Sequence, residues 1–384
     1  MVIFTHPKFV KSQSMPRFAK MLTEGMTALG HDVEVWSPEA FFFRLPFPQS
    51  LKKWLGYLDQ YILFPIQVKK KIKNRDIDTL YVFADQALGP WIPLVADKPH
   101  VVHCHDFLAQ RSALGEISEN LTEWTGRIYQ NFIRRGFKKA DNFISVSKNT
   151  RKDLHRFLDK TPKLSKVVYN GLNGAFKLAE MSSSRKALSE KINVPLQMGY
   201  ILHVGGNQWY KNRVGVIEIY EKWRLNNEPE IPLLLIGAAP NSILRERYER
   251  AVYKKDIYFL YEIDDEYVKY AYSGASLFLF PSLAEGFGWP IAEAMASAVP
   301  VITTGEAPMT EVAEDSGVYI PVKPHNEEDI DKWAEKSAEI VKQVFTFSAS
   351  DRNQLVKRGL ENIKRFDSEK SLKEIEKIYL EILE

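Results

Sequence analysis

Two glutamates, Glu285 and Glu293, bracket the loop Gly286-Phe287-Gly288 and the first turns of a helix that Pro290 opens at a favoured first-turn position. A carboxylate accepts hydrogen bonds from two hydroxyls at once, with charge-assisted strength. The bare backbone N–H groups of a helix start, together with its dipole, attract anions. This pairing suits a polyhydroxylated or phosphorylated ligand. A second constellation has the same preference. Ile201 to Gly206 reads as a strand running into a glycine turn, and Lys211-Asn212-Arg213 opens the next helix. Gly205 and Gly206 let the backbone approach a diphosphate closely, and Lys211 supplies a point charge.

A third group is the string His103-Cys104-His105-Asp106 at the end of an apolar run. Strand alternation puts His103 and His105 on one face. The i, i+2 spacing with no third ligand nearby speaks against zinc. A satisfied structural histidine is the expectation for His103. The strings Asp76-x-Asp78 and Asp329-x-Asp331 resemble metal-binding pairs, but the first precedes a strand instead of following one, so no metal is expected.

The elements that must position these groups alternate between short apolar strands and helices. Strands are expected at Val2 to Thr5, Val33 to Trp36, Thr79 to Phe83, His100 to Cys104, Asp141 to Val146 and Lys166 to Tyr169. A helix from about Met15 to Leu29 stops at Gly30. The second series runs through Tyr200 to Leu202, Pro232 to Ile236, Ile257 to Tyr261, Leu277 to Phe280 and Val301 to Thr303. Such alternation predicts doubly wound parallel sheets with ligands at the carboxyl ends of the strands. The stretch after Gly171, rich in Ser and Lys, reads as a linker plus a short helix. The tail from about Asp351 is charged and helical in period.

A chain of 384 residues suggests two domains, and a hydrophobic fraction of 45% is ordinary for globular proteins. Cys104 is the one cysteine, which removes a disulfide framework and any multi-cysteine metal site. A formal net charge of +3 does not point to nucleic acid. No run of about 18 apolar residues occurs, and Met1 leads into a strand-like VIFTHP, so a cytoplasmic protein is the expectation. Residues 39–75 interleave aromatics with lysines, and helical spacing puts Trp54, Tyr57 or Leu58, and Tyr61 or Ile62 on one face. The expectation here is a helix packed on its own sheet with a lysine rim. The segment also admits peripheral contact with the inner face of a membrane. Arg134, Arg135, Lys138 and Lys139 read as a solvated helix face.

The string P-S-x-x-E-G-F-G-x-P-x-x-E-A-M-A around Glu285 and Glu293 resembles the signature of the family 4 glycosyltransferases, a retaining, nucleotide-sugar-dependent group. The resemblance implies the GT-B fold: two Rossmann-like, doubly wound parallel-sheet domains facing a central cleft, with the C-terminal helix crossing back to the N-terminal domain. The domains would be 1–178 with about 366–384, on the acceptor side, and 190–365, binding the nucleotide sugar. It implies that Glu285 contacts the donor sugar beside the N–H groups of Phe287 and Gly288, near Gly286, and that Glu293 takes the ribose hydroxyls. Tyr261 and Ile263 fall in the base-contacting loop. His105 matches the family's His-Asp pair. Ser147 and Thr150 fall in a family segment and read as helix-capping hydroxyls, and Asn170-Gly171 reads as a tight turn. The family commonly carries an arginine where this chain has Gly206; Arg213, two residues past Lys211, is the substitute cation.

The activity this implies is hexose transfer in polysaccharide biosynthesis from a UDP- or GDP-sugar to a saccharide or lipid-linked acceptor, with no cofactor, metal or nucleic acid. The alternatives are a non-catalytic sugar-nucleotide-binding accessory protein and a nucleotide-sugar epimerase of the same fold. A dinucleotide-dependent oxidoreductase would need G-x-G-x-x-G after its first strand, and neither THPKFVKSQS nor VGGNQWYKN supplies it.

Overall fold

The computed structural model describes residues 1–9, 14–172, 174–225 and 229–384. Among them, twelve strands make two six-stranded parallel sheets. The first holds β1 (Val2–Phe4), β2 (Glu34–Trp36), β3 (Tyr81–Phe83), β4 (His100–Cys104), β5 (Asn142–Ser145) and β6 (Leu164–Val167), in the order β2-β1-β3-β4-β5-β6. The second holds β7 (Ile201–Val204), β8 (Leu233–Ile236), β9 (Ile257–Leu260), β10 (Leu277–Phe280), β11 (Val301–Thr304) and β12 (Gly317–Ile320), in the order β12-β11-β10-β7-β8-β9. These are the doubly wound sheets of the GT-B class.

The strands are apolar throughout because both faces of each sheet are covered. In the first sheet, Val2, Phe4, Phe83 and Val102 face a core containing Trp91 and Phe137. Ile3, Val82, Val101 and Ile144 face the opposite core, built with Phe18, Leu22, Ile378 and Tyr379. That second core joins the helix Ser14–Ala28 to the C-terminal helix Ser368–Leu383. A Cβ on Gly25 would sit 2.6 Å from the Leu372 side chain, so the glycine permits the close approach of these helices.

Two compact units result, Met1–Tyr169 with Glu369–Glu384, and Asn170–Ser368. The short helix expected beside the linker after Gly171 is Met181–Ile192, and it is part of the compact second unit. Its Leu188 is buried, and Arg185 Nε donates to the Gly274 carbonyl oxygen at 2.8 Å. Ser and Lys on its exposed faces mask one short buried stripe. Three differences from the sequence reading have local causes. β6 begins two residues early, because Asn142 to Ser145 pair with Leu164 to Val167 and leave Val168 and Tyr169 beyond the ladder. Among the described residues Asn170-Gly171 shows no tight turn: Leu172 bridges Asp367, and a Cβ on Gly171 would lie 2.6 Å from Ser368 Cα. β12 was not anticipated, since its four residues open on Gly317 and only Ile320 is buried.

Strand order reverses at β7/β10 in one sheet and at β1/β3 in the other. Ligand crevices in open α/β sheets form outside the carboxyl ends of strands at such points.

Candidate active site

Lys211 ends the single helical turn Trp209–Lys211 that follows β7, and Glu285 lies in the loop after β10. Their side chains are 14% and 8% exposed, and Lys211 Nζ donates to Glu285 Oε1 at 2.7 Å. The pair therefore spans the switch point of the second sheet. Ser282 Oγ is also 2.7 Å from Glu285 Oε1. The Tyr210 carbonyl oxygen accepts from Leu283 N at 2.7 Å and from Ser282 Oγ at 2.8 Å, which ties the two loops together. Asn212, at φ +50°, adds the last tie: Nδ2 donates to the Pro281 carbonyl oxygen, and Oδ1 caps the helix Arg213–Leu225 by accepting from Gly215 N. Sequence reasoning passed over Asn212 and Ser282 as positioning residues. An asparagine immediately ahead of a helix was the available signal.

Gly205 N–H donates to the Ile236 carbonyl oxygen at 2.9 Å, so that donor serves the sheet rather than a phosphate. A Cβ there would come within 3.0 Å of His203 Nε2 and 3.4 Å of the Lys211 stem. His203 Nδ1 lies 3.0 Å from the Leu279 carbonyl oxygen, so Nδ1 carries the proton and Nε2 is a lone-pair acceptor with no partner among the described residues. Burial pushes its pKa down to about 3, and the charges of Arg213 and Lys211 act in the same direction. The imidazole is neutral at ordinary pH.

Arg213 is buried, with Nη1 donating to Asn207 Oδ1 and to the Ala238 carbonyl oxygen. Its Nε and Nη2 donors have no hydrogen-bond partner among the described residues. Burial lowers its pKa to about 10, which still leaves a full positive charge at neutral pH. A Cβ on Gly206 would meet the tip of the flexible Gln208 side chain.

Glu293 sits on the helix Trp289–Ala296, where Tyr272 OH donates to Oε2 at 2.8 Å. Burial and the Glu293 charge push the Tyr272 phenol well up, so it stays protonated and donates. Gly288 caps this helix at φ +110°, a left-handed conformation open to glycine, and Phe287 is buried edge-on against Phe366. Tyr261 follows β9 and is 52% exposed, so it is not core; Ile263 beside it is half-buried. Thus the residues expected to bind the donor lie at the carboxyl ends of β7, β9 and β10, or on the elements that follow them.

In the first unit, His105 follows β4 and is buried against Phe18, with ring centroids 4.4 Å apart. Its Nε2 is 2.9 Å from the Ala84 carbonyl oxygen, which can only accept, so Nε2 carries the proton and Nδ1 is left as an acceptor. Burial holds its pKa down. His103 bonds Tyr379 OH at 2.7 Å and is structural, its pKa pushed to about 3 by burial. Ser147 caps the helix Lys148–Phe157 by accepting from Thr150 N.

A pair absent from the sequence reading spans the β1/β3 switch point. His6 Nε2 is 2.8 Å from Asp85 Oδ2, and Asp85 Oδ1 accepts from Ala87 N. Burial raises the Asp85 carboxyl, but the His6 hydrogen bond, the His6 and His105 rings and the Ala87 N–H outweigh it, leaving the pKa below normal. The carboxylate therefore holds the His6 ring through Nε2, with Nδ1 on the far side of the ring. His6→Ala is expected to lower turnover by about a hundredfold. Nucleotide binding, followed by thermal shift, should be unchanged; equal loss of nucleotide binding would show that His6 acts only through the fold. Only the fold brings together residues 79 positions apart.

Two doubly wound parallel sheets, with charged and glycine-rich loops at the switch point of the second, define a protein of the GT-B class. Residues 15–175 match the family described as Glycosyltransferase Family 4, and residues 184–360 match Glycosyl transferases group 1. The chain belongs to this family of glycosyltransferases. It is 34% identical over 122 residues to O-antigen chain mannosyltransferase B of Escherichia coli, covering 31% of this chain and 32% of that protein. It is 22% identical over 241 residues to O-antigen chain mannosyltransferase RfbU of Salmonella typhimurium, covering 62% of each. The chain thus spans about a third and under two thirds of these relatives. Among solved structures, Anabaena HepE in complex with UDP and glucose superposes with a TM-score of 0.71 at 17% identity, over 98% of this chain and 99% of that one. WaaG, a glycosyltransferase involved in lipopolysaccharide biosynthesis, also gives 0.71, at 16% identity and the same coverage. These likenesses establish the fold.

Proposed function

We propose that the chain is a retaining glycosyltransferase that moves a hexose from a UDP- or GDP-sugar to a saccharide or lipid-linked acceptor, without a metal. The Lys211–Glu285 pair at the switch point carries this reading. Relatives named as O-antigen mannosyltransferases put mannose first among the hexoses and a growing polysaccharide first among the acceptors.

In this reading Lys211 and the unspent donors of Arg213 hold the diphosphate, with the start of the Trp289–Ala296 helix adding positive potential. Glu293 accepts from the ribose hydroxyls, Tyr261 and Ile263 border the base, and Glu285 accepts from the sugar. The bond between the sugar's C1 and the phosphate oxygen breaks, and the diphosphate leaves with the electron pair. The acceptor oxygen attacks C1 from the same face, and its proton passes to the departing phosphate oxygen. His105 Nδ1 accepts a hydrogen bond from a sugar hydroxyl and takes no proton. Fixed donors aimed at developing charge supply the main catalytic term.

The test is proton NMR of the product formed from GDP-mannose and a mannoside acceptor in excess EDTA, with UDP-glucose as the competing donor. The expected product keeps the donor's anomeric configuration at an undiminished rate. Inversion, or loss of activity in EDTA, overturns the corresponding part. Nucleotide binding without transfer to any acceptor would favour the accessory-protein reading that the Gly206 departure supports. Conversion of donor alone would identify an epimerase.

A further inference from the structure

One long helical stretch of the first unit runs through Gln49–Leu58, a wide π-helical turn Asp59–Leu63, and Phe64–Ile72. Its inner side buries Phe64 and Val68 in the sheet core. Its outer side presents Leu51, Trp54, Leu58, Ile62 and Ile66, at spacings of three and four, and all are exposed. The helix Trp124–Phe137 lies alongside: Tyr57 stacks on Tyr129 at 5.5 Å, Tyr61 OH is 2.7 Å from Tyr129 OH, and Phe132 meets Tyr61 edge-on at 5.4 Å. This second helix contributes Trp124, 73% exposed, with Ile128 and Phe132. The solvated apolar stripes of two packed helices thus make one face, far beyond the scattered apolar residues usual on a surface.

This face is actively held open. The buried Asp59 carboxylate accepts from Phe41 N, Phe42 N and Phe43 N at 2.9–3.1 Å. Lys52 Nζ donates to the Phe43 and Leu45 carbonyl oxygens, both at 2.7 Å. The preceding loop is therefore fixed, with Phe41 exposed and Phe47 lining the groove together with Leu51, Trp54 and Leu58. Charge around the face is one-sided. Residues 49–73 contain six lysines against one carboxylate, the buried Asp59, and residues 124–139 contain five basic residues and no carboxylate. Lys71 and Lys138 pair with Glu34 and Asp159, while Lys53, Lys69, Lys70, Arg127 and Arg135 are solvent-exposed.

We propose that this two-helix face seats in the headgroup–acyl boundary of an anionic phospholipid bilayer, with both helices lying in the plane of the membrane. Broad tryptophan and aliphatic stripes with a basic rim are the composition of interfacial helices. The excess of basic over acidic groups complements a negative surface, at about 1 kcal/mol per Lys or Arg near it. No helix among the described residues is long and apolar enough to cross a membrane, so the contact is peripheral. The basic cluster of the second helix, expected to be a solvated face, becomes part of the same surface. The inference stands independently of the transfer chemistry, although it suits a lipid-linked acceptor.

Sedimentation with phosphatidylcholine vesicles, with and without phosphatidylglycerol, tests it. The full chain should bind the anionic vesicles at low salt, bind them more weakly at high salt, and scarcely bind the neutral ones. Its tryptophan fluorescence should be quenched by brominated acyl chains. Trp54→Ser combined with Trp124→Ser should lower partitioning about tenfold or more with an unchanged circular dichroism melt. Absence of anionic-vesicle binding by the wild type, or a double variant that binds as well as wild type, overturns the proposal. A wild-type dimer in analytical ultracentrifugation that the double variant abolishes, with no vesicle binding, would show that a second copy covers the face instead.

Discussion

Lys211→Met and Glu285→Gln are each expected to lower turnover by roughly a thousandfold, the scale seen when one preorganised electrostatic group is removed from a reacting site. The two side chains touch at 2.7 Å and are almost fully buried, so either variant also leaves a charge without its partner. Breaking a buried pair costs up to about 3–5 kcal/mol, whereas replacing both members by neutral groups of similar size costs far less. The melting temperatures should therefore be non-additive: the Lys211→Met, Glu285→Gln double variant should melt above the sum of the single losses. Its turnover should be no better than either single variant. Measuring kcat/KM and Tm on all three separates chemistry from folding. Near-normal turnover in either single variant removes the transferase assignment of this pair. Restored activity in the double variant would mean that the pair serves packing alone.

Much of the architecture was legible because parallel sheets announce themselves as apolar runs. Leu277–Phe280 and His100–Cys104 fall where hydrophobic patterning places them. Patterning was weakest where an element buries little. β12 buries only Ile320, and the helix Met181–Ile192 buries only Ser184 and Leu188 behind a polar exterior. The second site was legible because its residues cluster in two short strings that the β7/β10 switch point brings together. The first unit's His6–Asp85 pair was not, since neither residue carries a local pattern and the parallel pairing of β1 with β3 alone aligns them. Tautomers lay equally out of reach: that His105 offers Nδ1 as an acceptor follows only from Ala84 lying opposite Nε2. The exposed face of residues 49–72 illustrates a different limit. Its amphipathic period was visible, but which side faced solvent depended on Tyr57 and Tyr61 turning toward Tyr129.

A thermal-shift titration with UDP, GDP, ADP and dTDP should single out one nucleotide, adding about 2.7 kcal/mol of stability at a hundred times its dissociation constant. Glu293→Ala should abolish most of that gain. The carboxylate accepts from the OH of the fully buried Tyr272, and a carboxylate can accept from two hydroxyls at once, the chemistry that a ribose diol needs. Tyr272→Phe then gives a graded result: Glu293 stays but loses its orienting donor, and nucleotide binding should weaken by about tenfold or less. Equal stabilisation of wild type and Glu293→Ala would move the ribose to another acceptor and overturn this role. Gly206→Arg tests the second cation directly, because the atoms nearest a Cβ there belong to the flexible end of Gln208. If Arg213 already supplies the second diphosphate cation through its unspent Nε and Nη2 donors, the added arginine should strengthen nucleotide binding little. A large gain would instead show that Arg213 remains turned toward Asn207 and Ala238 and that Lys211 alone holds the diphosphate.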